Sequence, residues 1–254
     1  MAKKKKKQSL LNRIISWILI IIIIISSGLL AKELYVMYQQ WKLKNELNQL
    51  VVQDDLINPN WEELKKINED IVAWIAIPNT PINYPILQGD DNDYYLYHTA
   101  TGESNKFGSI FMDYRANPDF SDYNTLVYGH NVAGNKGMFS RLTKYCDPQF
   151  FNENPNFYIL TPNGNFEAQV LSVNKLLDGD NVYTTQFYNE QQVVDLVDSI
   201  RSTAVLSSQV PFNLGDKMVT LSTCDLAYGL NSPNRITVSA KLVPYEGEVR
   251  VNLE

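Results

Sequence analysis

The sequence predicts a mainly β fold, either a closed barrel or a sandwich, with helices at the N-terminus and one helix late in the chain. About eight short runs are rich in β-branched and aromatic residues, which favour strands. Proline, glycine, asparagine and aspartate separate these runs, as turns require. One amphipathic helical pattern interrupts the strands shortly before the C-terminal pair.

The first 31 residues have the composition of a membrane anchor. Lys3–Lys7 and Arg13 precede a stretch of 18 residues without a charge, Ile14–Ala31. At about 1.5 Å per residue, this stretch is long enough to cross a hydrocarbon core of roughly 30 Å. Basic residues beside a membrane span stay in the cytoplasm. We therefore expect a cytoplasmic tail at residues 1–13, a single transmembrane anchor at residues 14–31, and an extracellular remainder.

A cleaved signal peptide is the alternative interpretation of this N-terminus. The apolar stretch is long for a signal peptide, and Leu29 stands where a cleavage site needs a small residue. An uncleaved anchor is therefore favoured.

The part of the chain after the apolar stretch is acidic. Six of the 22 basic residues and none of the 28 acidic residues precede Lys32, so residues 32–254 carry a net charge of −12. A domain this acidic is a poor partner for nucleic acid. Two histidines and two separated cysteines do not make a clustered zinc site, so neither a metal nor a cofactor is expected.

A stalk and a short helix lead into the folded domain. Residues 32–58 are polar with scattered apolar positions and are interpreted as a helical stalk and lead-in. Asn60 and Glu63 have the spacing of a capping box, which predicts the start of a helix within a domain at residues 59–254.

The predicted strands of this domain are "VAWIAI", "INYPILQ", "GSIFMD", "TLVYGH", "NFYILT", "FEAQVLSV", "KMVTLSTC" and "RITVSAKLV". The predicted late helix is Asn189–Ala204.

The last two predicted strands bring a cysteine and an arginine together. Alternation along "VTLSTC" places Thr220, Ser222 and Cys224 on one face. If this strand pairs with the next one, Arg235 lies at the same sheet edge as Cys224. A guanidinium near a thiol favours the thiolate and offers donors to a developing oxyanion.

A cysteine nucleophile also needs a base, and histidine is the usual one. His130 ends the strand "TLVYGH", a strand-end position like that of Cys224, whereas His98 lies in a loop-like stretch. His130 is therefore the favoured candidate. Two structural alternatives remain for the cysteines: a disulfide between Cys146 and Cys224, or Cys146 as a small buried apolar residue.

The sequence resembles the class B sortases, membrane-anchored cysteine transpeptidases of Gram-positive bacteria. The resemblance is carried by "VYGHN", "TLSTC" and the later Arg235, in that order, and by "WIAIPNTPINYPILQGDDNDYYLYHT", "GSIFMDYRAN" and "LVYGHNVAGNKGMFSRLTKY". It extends from about Asn60 to Val243. It implies an eight-stranded sortase-type β-barrel with N-terminal helices and one helix in the long connection before the cysteine strand.

The resemblance also implies a reaction and a set of site residues. Cys224 would attack the peptide bond after Thr in a C-terminal sorting signal, for example an NPQTN-like one, and an amine of a peptidoglycan precursor (lipid II or a wall peptide) would resolve the thioacyl intermediate. His130 would exchange protons with the two amines, and Arg235 would hold the oxyanion. The substrate-binding residues implied are Asn92, Leu96, Tyr183 and Ser222.

Two other functions are compatible with parts of the pattern. An L,D-transpeptidase is also an exported cysteine enzyme, but it expects a glycine before its cysteine, where this chain has Thr223. A non-catalytic, wall-binding β-domain would keep its two cysteines as a disulfide. The role of Asp225, which follows Cys224, is left open by the sequence.

Overall fold

A computed structural model of the chain describes residues 2–132, 134, 137–229 and 232–250. The chain divides into two compact units, residues 1–46 and residues 47–254. The first unit is the greater part of one long helix, α1 (Ala2–Gln49). Within the described residues, one helix, Leu10–Gln49, is long and apolar enough to cross a membrane, with a mean hydropathy of 2.8 in its most apolar window. The last four residues of the domain predicted at residues 59–254 lie outside the described part.

The second unit begins with a small hairpin and a short helix. Strands β1 (Val52–Gln53) and β2 (Leu56–Ile57) pair antiparallel, and helix α2 (Trp61–Ile67) follows. The Asn60 side chain accepts a hydrogen bond from the Glu63 backbone N–H at 3.3 Å, so the predicted N-cap is confirmed.

A closed, mixed β-barrel of eight strands forms the body of this unit, as predicted. Each of the eight predicted runs overlaps one of its strands: β3 (Ile71–Ala76), β4 (Asn83–Leu87), β5 (Ile110–Met112), β6 (Asn124–Tyr128), β7 (Asn156–Thr161), β8 (Gly164–Leu177), β10 (Lys217–Cys224) and β11 (Asn234–Tyr245). The strand order is β11-β10-β6-β5-β4-β3-β7-β8, and the pairing of β11 with β8 closes the barrel. One further strand, β9 (Leu206–Ser207), adds to β8 and was not predicted.

Alternation along the strands separates the barrel interior from an outer layer. In β10, Val219 and Leu221 belong to the main apolar core, whereas Met218 packs in a second cluster with helix α4 (Glu190–Ser202). The predicted late helix is therefore confirmed, and its buried residues are Val193, Leu196, Val197 and Ile200. Asn189 caps it by accepting from the Gln192 N–H at 3.1 Å.

Helical turns between β6 and β7 complete the unit. A 3₁₀ helix covers Met138–Cys146, and helix α3 (Pro148–Glu153) starts from the Asp147 cap. Cys146 lies at the end of the 3₁₀ helix and packs against the main core. Both Cys146 and Cys224 are free, so the disulfide alternative is wrong.

Candidate active site

Three neighbouring strands bring Cys224, His130 and Arg235 to one edge of the barrel. Strands β6 and β10 are parallel, with Tyr128 opposite Ser222, so both strands end at the same edge. His130 lies two residues beyond Tyr128, and Cys224 ends β10. Because β11 is antiparallel to β10, its first residues lie at that edge too, and Arg235 is directly opposite Cys224. The predicted pairing of the last two strands is therefore confirmed.

Backbone and side-chain hydrogen bonds hold the end of the cysteine strand. The Gly129 N–H donates to the Ser222 carbonyl at 3.2 Å, and the Thr223 hydroxyl donates to the Gly129 carbonyl at 2.7 Å. The Asn131 amide donates to the Cys224 carbonyl at 2.9 Å. The chain segment that carries His130 is thus tied directly to the segment that carries Cys224.

The imidazole of His130 is oriented by a backbone carbonyl. Its Nε2 lies 2.8 Å from the Leu96 carbonyl oxygen. Since a carbonyl only accepts, Nε2 carries a proton, and Nδ1 is left for proton exchange. Gly108 makes this arrangement possible: it has a φ of +54°, and a Cβ there would collide with the Leu96 carbonyl oxygen. The other histidine, His98, stacks on Tyr94 with ring centroids 4.0 Å apart and does not line the site.

The Arg235 guanidinium is held by three acceptors. One terminal nitrogen, Nη1, donates to the carbonyls of Ser232 at 2.7 Å and Asn234 at 3.1 Å. The other, Nη2, donates to the Asp178 carboxylate at 2.9 Å. A guanidinium has five N–H donors, so two remain for a bound oxygen.

The connection after β8 places a tyrosine against the cysteine strand. The Tyr183 hydroxyl and the Ser222 hydroxyl lie 2.7 Å apart. Burial raises the pKa of Tyr183 to about 12, so the phenol keeps its proton at neutral pH. The Asn124 amide, at the start of β6, donates to the carbonyls of Val182 and Thr184, each at 2.9 Å, which fixes this connection.

A buried carboxylate orients the opposite wall of the site. Asp113 is fully buried and accepts hydrogen bonds from the Asn92 amide at 3.0 Å and the Tyr128 hydroxyl at 3.2 Å. Arg115 donates to it through two nitrogens, each at 2.8 Å. Burial alone raises the pKa of the Asp113 carboxyl, but the hydrogen bonds from Arg115 and Asn92 outweigh burial and lower the pKa to about 2. The Tyr114 N–H donates to the Asn92 oxygen at 3.0 Å, so the amide has one defined orientation.

All seven residues predicted for the site line one cavity of about 310 Å³. They are Asn92, Leu96, His130, Tyr183, Ser222, Cys224 and Arg235. Six further residues that the sequence interpretation did not include also line it: Asp93, Phe111, Tyr128, Gly129, Asp178 and Thr223. Tyr128 had a sequence signal, because it precedes His130 by two residues and so shares its side of the strand. Asp178 had no such sequence signal, because a "DG" pair after a strand is typical of any turn.

Cys146 and Asp225 do not line this cavity. Burial raises the pKa of the Cys146 thiol, which makes it a poor nucleophile. Asp225 caps the turn after Cys224 by accepting from the Ala227 N–H at 3.1 Å, and its other oxygen lies 3.8 Å from the Lys175 amine. Within the described part of the chain, no group of three or more His, Cys, Asp or Glu side chains is arranged to hold a metal ion.

Comparisons with known proteins agree with this geometry. Residues 75–243 match the family model of the sortase domain. The chain is 37% identical to sortase B of Staphylococcus aureus over 187 residues, 74% of this chain and 76% of that protein. It is 36% identical to sortase B of Listeria monocytogenes over 181 residues, 71% of this chain and 73% of that protein.

Solved structures give the same result. The structure of the Staphylococcus aureus sortase B–substrate complex is similar with a TM-score of 0.69 at 34% identity, covering 83% of this chain and 94% of that one. The family match spans the strands that carry Cys224, His130 and Arg235. The chain therefore belongs to the sortase family of cysteine transpeptidases, and within it to the class B sortases.

Proposed function

We propose that this chain is a membrane-anchored transpeptidase that cleaves a C-terminal sorting signal after Thr and joins the new carboxyl end to a cell-wall amine. The observation that supports the proposal most strongly is the meeting of Cys224, His130 and Arg235 at one barrel edge. A thiol, an acid–base imidazole and a fixed guanidinium are the groups that acyl transfer through a thioester needs.

Each chemical step has a residue in position. The Cys224 thiolate attacks the Thr carbonyl carbon, and the carbonyl oxygen becomes an oxyanion that the remaining N–H groups of Arg235 stabilise. Nδ1 of His130 gives a proton to the leaving amine as the C–N bond breaks, which leaves a thioester on Cys224. An incoming amine then loses a proton to Nδ1 as its nitrogen attacks, and the collapsing intermediate releases the thiolate.

The cavity walls supply the contacts that would hold the sorting signal. Asn92, fixed by Asp113, presents a preorganised amide, and Leu96 adds an apolar surface. On the other wall, Tyr183 and Ser222 form a hydroxyl pair. The neighbour solved as a complex is described as bound to its substrate. We propose an NPQTN-like signal on surface proteins as the substrate, and lipid II or a wall peptide as the source of the amine.

A panel of fluorogenic peptides tests this function. Detergent-solubilised full-length protein is incubated with pentapeptides that keep Thr at the fourth position and vary the others. We expect selective cleavage after Thr for an NPQTN-like member and, with an added peptidoglycan-type amine, ligation at the same carbonyl. Absence of cleavage for every peptide in the panel contradicts the proposal.

The N-terminal helix would anchor the enzyme, with residues 1–13 in the cytoplasm, 14–31 in the membrane, 32–58 as a stalk and 59–254 as the extracellular catalytic domain. The support is one helix of sufficient length and hydropathy, preceded by five consecutive lysines. Protease added to cells stripped of their wall should digest the domain from about Lys32 onward and leave a membrane-bound N-terminal fragment. Protection of the domain in intact cells, with digestion after lysis, would contradict the proposed orientation and show that the domain faces the cytoplasm.

A further inference from the structure

A fourth strand end lies beside the three that carry Cys224, His130 and Arg235. Strand β8 pairs antiparallel with β11, with Leu176 opposite Arg235. The chain then leaves β8, and the Asp178 N–H donates to the Pro233 carbonyl at 2.8 Å. Asp178 is therefore fixed next to the start of β11 by the same backbone pairing that builds the barrel.

The Asp178 side chain points to the cavity and binds Arg235. Its Oδ2 accepts from Nη2 of Arg235 at 2.9 Å, and it lines the cavity together with Arg235 and Cys224. The other two bonds of the guanidinium go to the carbonyls of Ser232 and Asn234 and both come from Nη1. Without the carboxylate, Nη2 keeps no partner within the described residues. The Nη2 end of the guanidinium can then rotate out of its present orientation.

Building on the proposed function, we propose that Asp178 is a positioning residue that holds Arg235 in the orientation that receives the oxyanion. Asp178 also begins the connection that carries Tyr183, so the ion pair joins one substrate-binding wall to the arginine. Its contribution to stability is small, because the carboxylate is 58% exposed and exposed ion pairs stabilise proteins little. The effect of losing it should therefore appear in catalysis.

Substitution of Asp178 tests the proposal through the split between kcat and KM. In the full-length protein, Asp178→Ala should lower kcat for a cleaved peptide about tenfold, with KM within about a factor of two and an unchanged melting temperature. Asp178→Asn, whose oxygen still accepts a hydrogen bond, should recover part of the loss. Asp195→Ala is the matched control: it removes the same charge from an exposed position on α4 outside the cavity and should leave both constants unchanged. Full kcat in Asp178→Ala would overturn the proposal.

A double-mutant cycle separates positioning from direct action on the substrate. If Asp178 acts through Arg235, Asp178→Ala should add little to the loss already caused by Arg235→Lys. If the two losses multiply, Asp178 acts independently of Arg235 and the proposal is wrong.

A crystal structure of Asp178→Ala tests the same inference without catalysis. We expect the Arg235 guanidinium in a new or a multiple orientation. An unchanged single orientation overturns the positioning role. This structural measurement tests the positioning role even if the wild-type protein cleaves no peptide. Failure of the wild-type protein to cleave any peptide would instead contradict the proposed function.

Discussion

Replacing Cys224 with alanine should abolish peptide cleavage while leaving the fold intact. The sulfur is the atom that forms the bond to the substrate carbonyl, so its loss removes the covalent route and should lower the rate by about 10⁴-fold or more. Cys224 ends β10 at the cavity, where the backbone pairing with Arg235 does not depend on the side chain. The measurement is steady-state cleavage of a sorting peptide, with circular dichroism melting of the same preparations.

The second cysteine provides the matched control. Cys146 packs against the barrel core away from the cavity, and Cys146→Ala should keep near-wild-type cleavage with a loss of stability on the order of 1 kcal/mol. Strong activity in Cys224→Ala would show that Cys224 is not the nucleophile. Loss of activity in Cys146→Ala at a normal melting temperature would mean that both cysteines act in the reaction.

Replacing Arg235 with lysine should lower turnover by about a hundredfold or more, although the positive charge is kept. The guanidinium is planar, and three bonds to the carbonyls of Ser232 and Asn234 and to Asp178 set its orientation. A lysine ammonium cannot reproduce two fixed, coplanar N–H donors. By comparison with the loss of one oxyanion donor, the barrier should rise by about 3 kcal/mol.

Comparison of Arg235→Lys with Arg235→Ala on one peptide distinguishes two roles for the arginine. If it binds the oxyanion, both variants should be slow, while the rate of Cys224 alkylation by a small neutral reagent should stay near that of wild type in the lysine variant. If the charge mainly favours the thiolate, lysine should restore most of the cleavage rate. Full activity in Arg235→Ala would show that Arg235 does not contribute to the reaction.

Local pattern predicted a large part of this fold. Each of the eight barrel strands overlaps a predicted run, and the Asn60 cap was predicted from its capping-box spacing to Glu63. The assumption that the last two strands pair as neighbours also predicted that Cys224 and Arg235 lie at the same sheet edge, because consecutive antiparallel strands are local in sequence. Strand β9 was missed because two residues cannot show a period.

The rest of the site depends on contacts between distant segments. His130 reaches Cys224 through the parallel pairing of β6 with β10, and Asp178 reaches Arg235 through the pairing of β8 with β11. Neither pairing follows from periodicity, since alternation sets which face a residue occupies and not which strand lies beside it. Asp113 was missed for a related reason: its hydrogen bonds to Asn92 and Tyr128 join three segments, and its own sequence context is that of a strand end followed by a turn.

The most direct test of the account is the mass of the enzyme during the reaction. Full-length protein is mixed with a cleavable sorting peptide, quenched in acid and measured by intact mass spectrometry, followed by peptide mapping. We expect a transient adduct with the mass of the N-terminal acyl fragment that cleavage after Thr produces. This fragment should be attached to Cys224 as a thioester and released by hydroxylamine. Cleavage that proceeds without any adduct on Cys224, or an adduct that maps to another residue, would contradict the account.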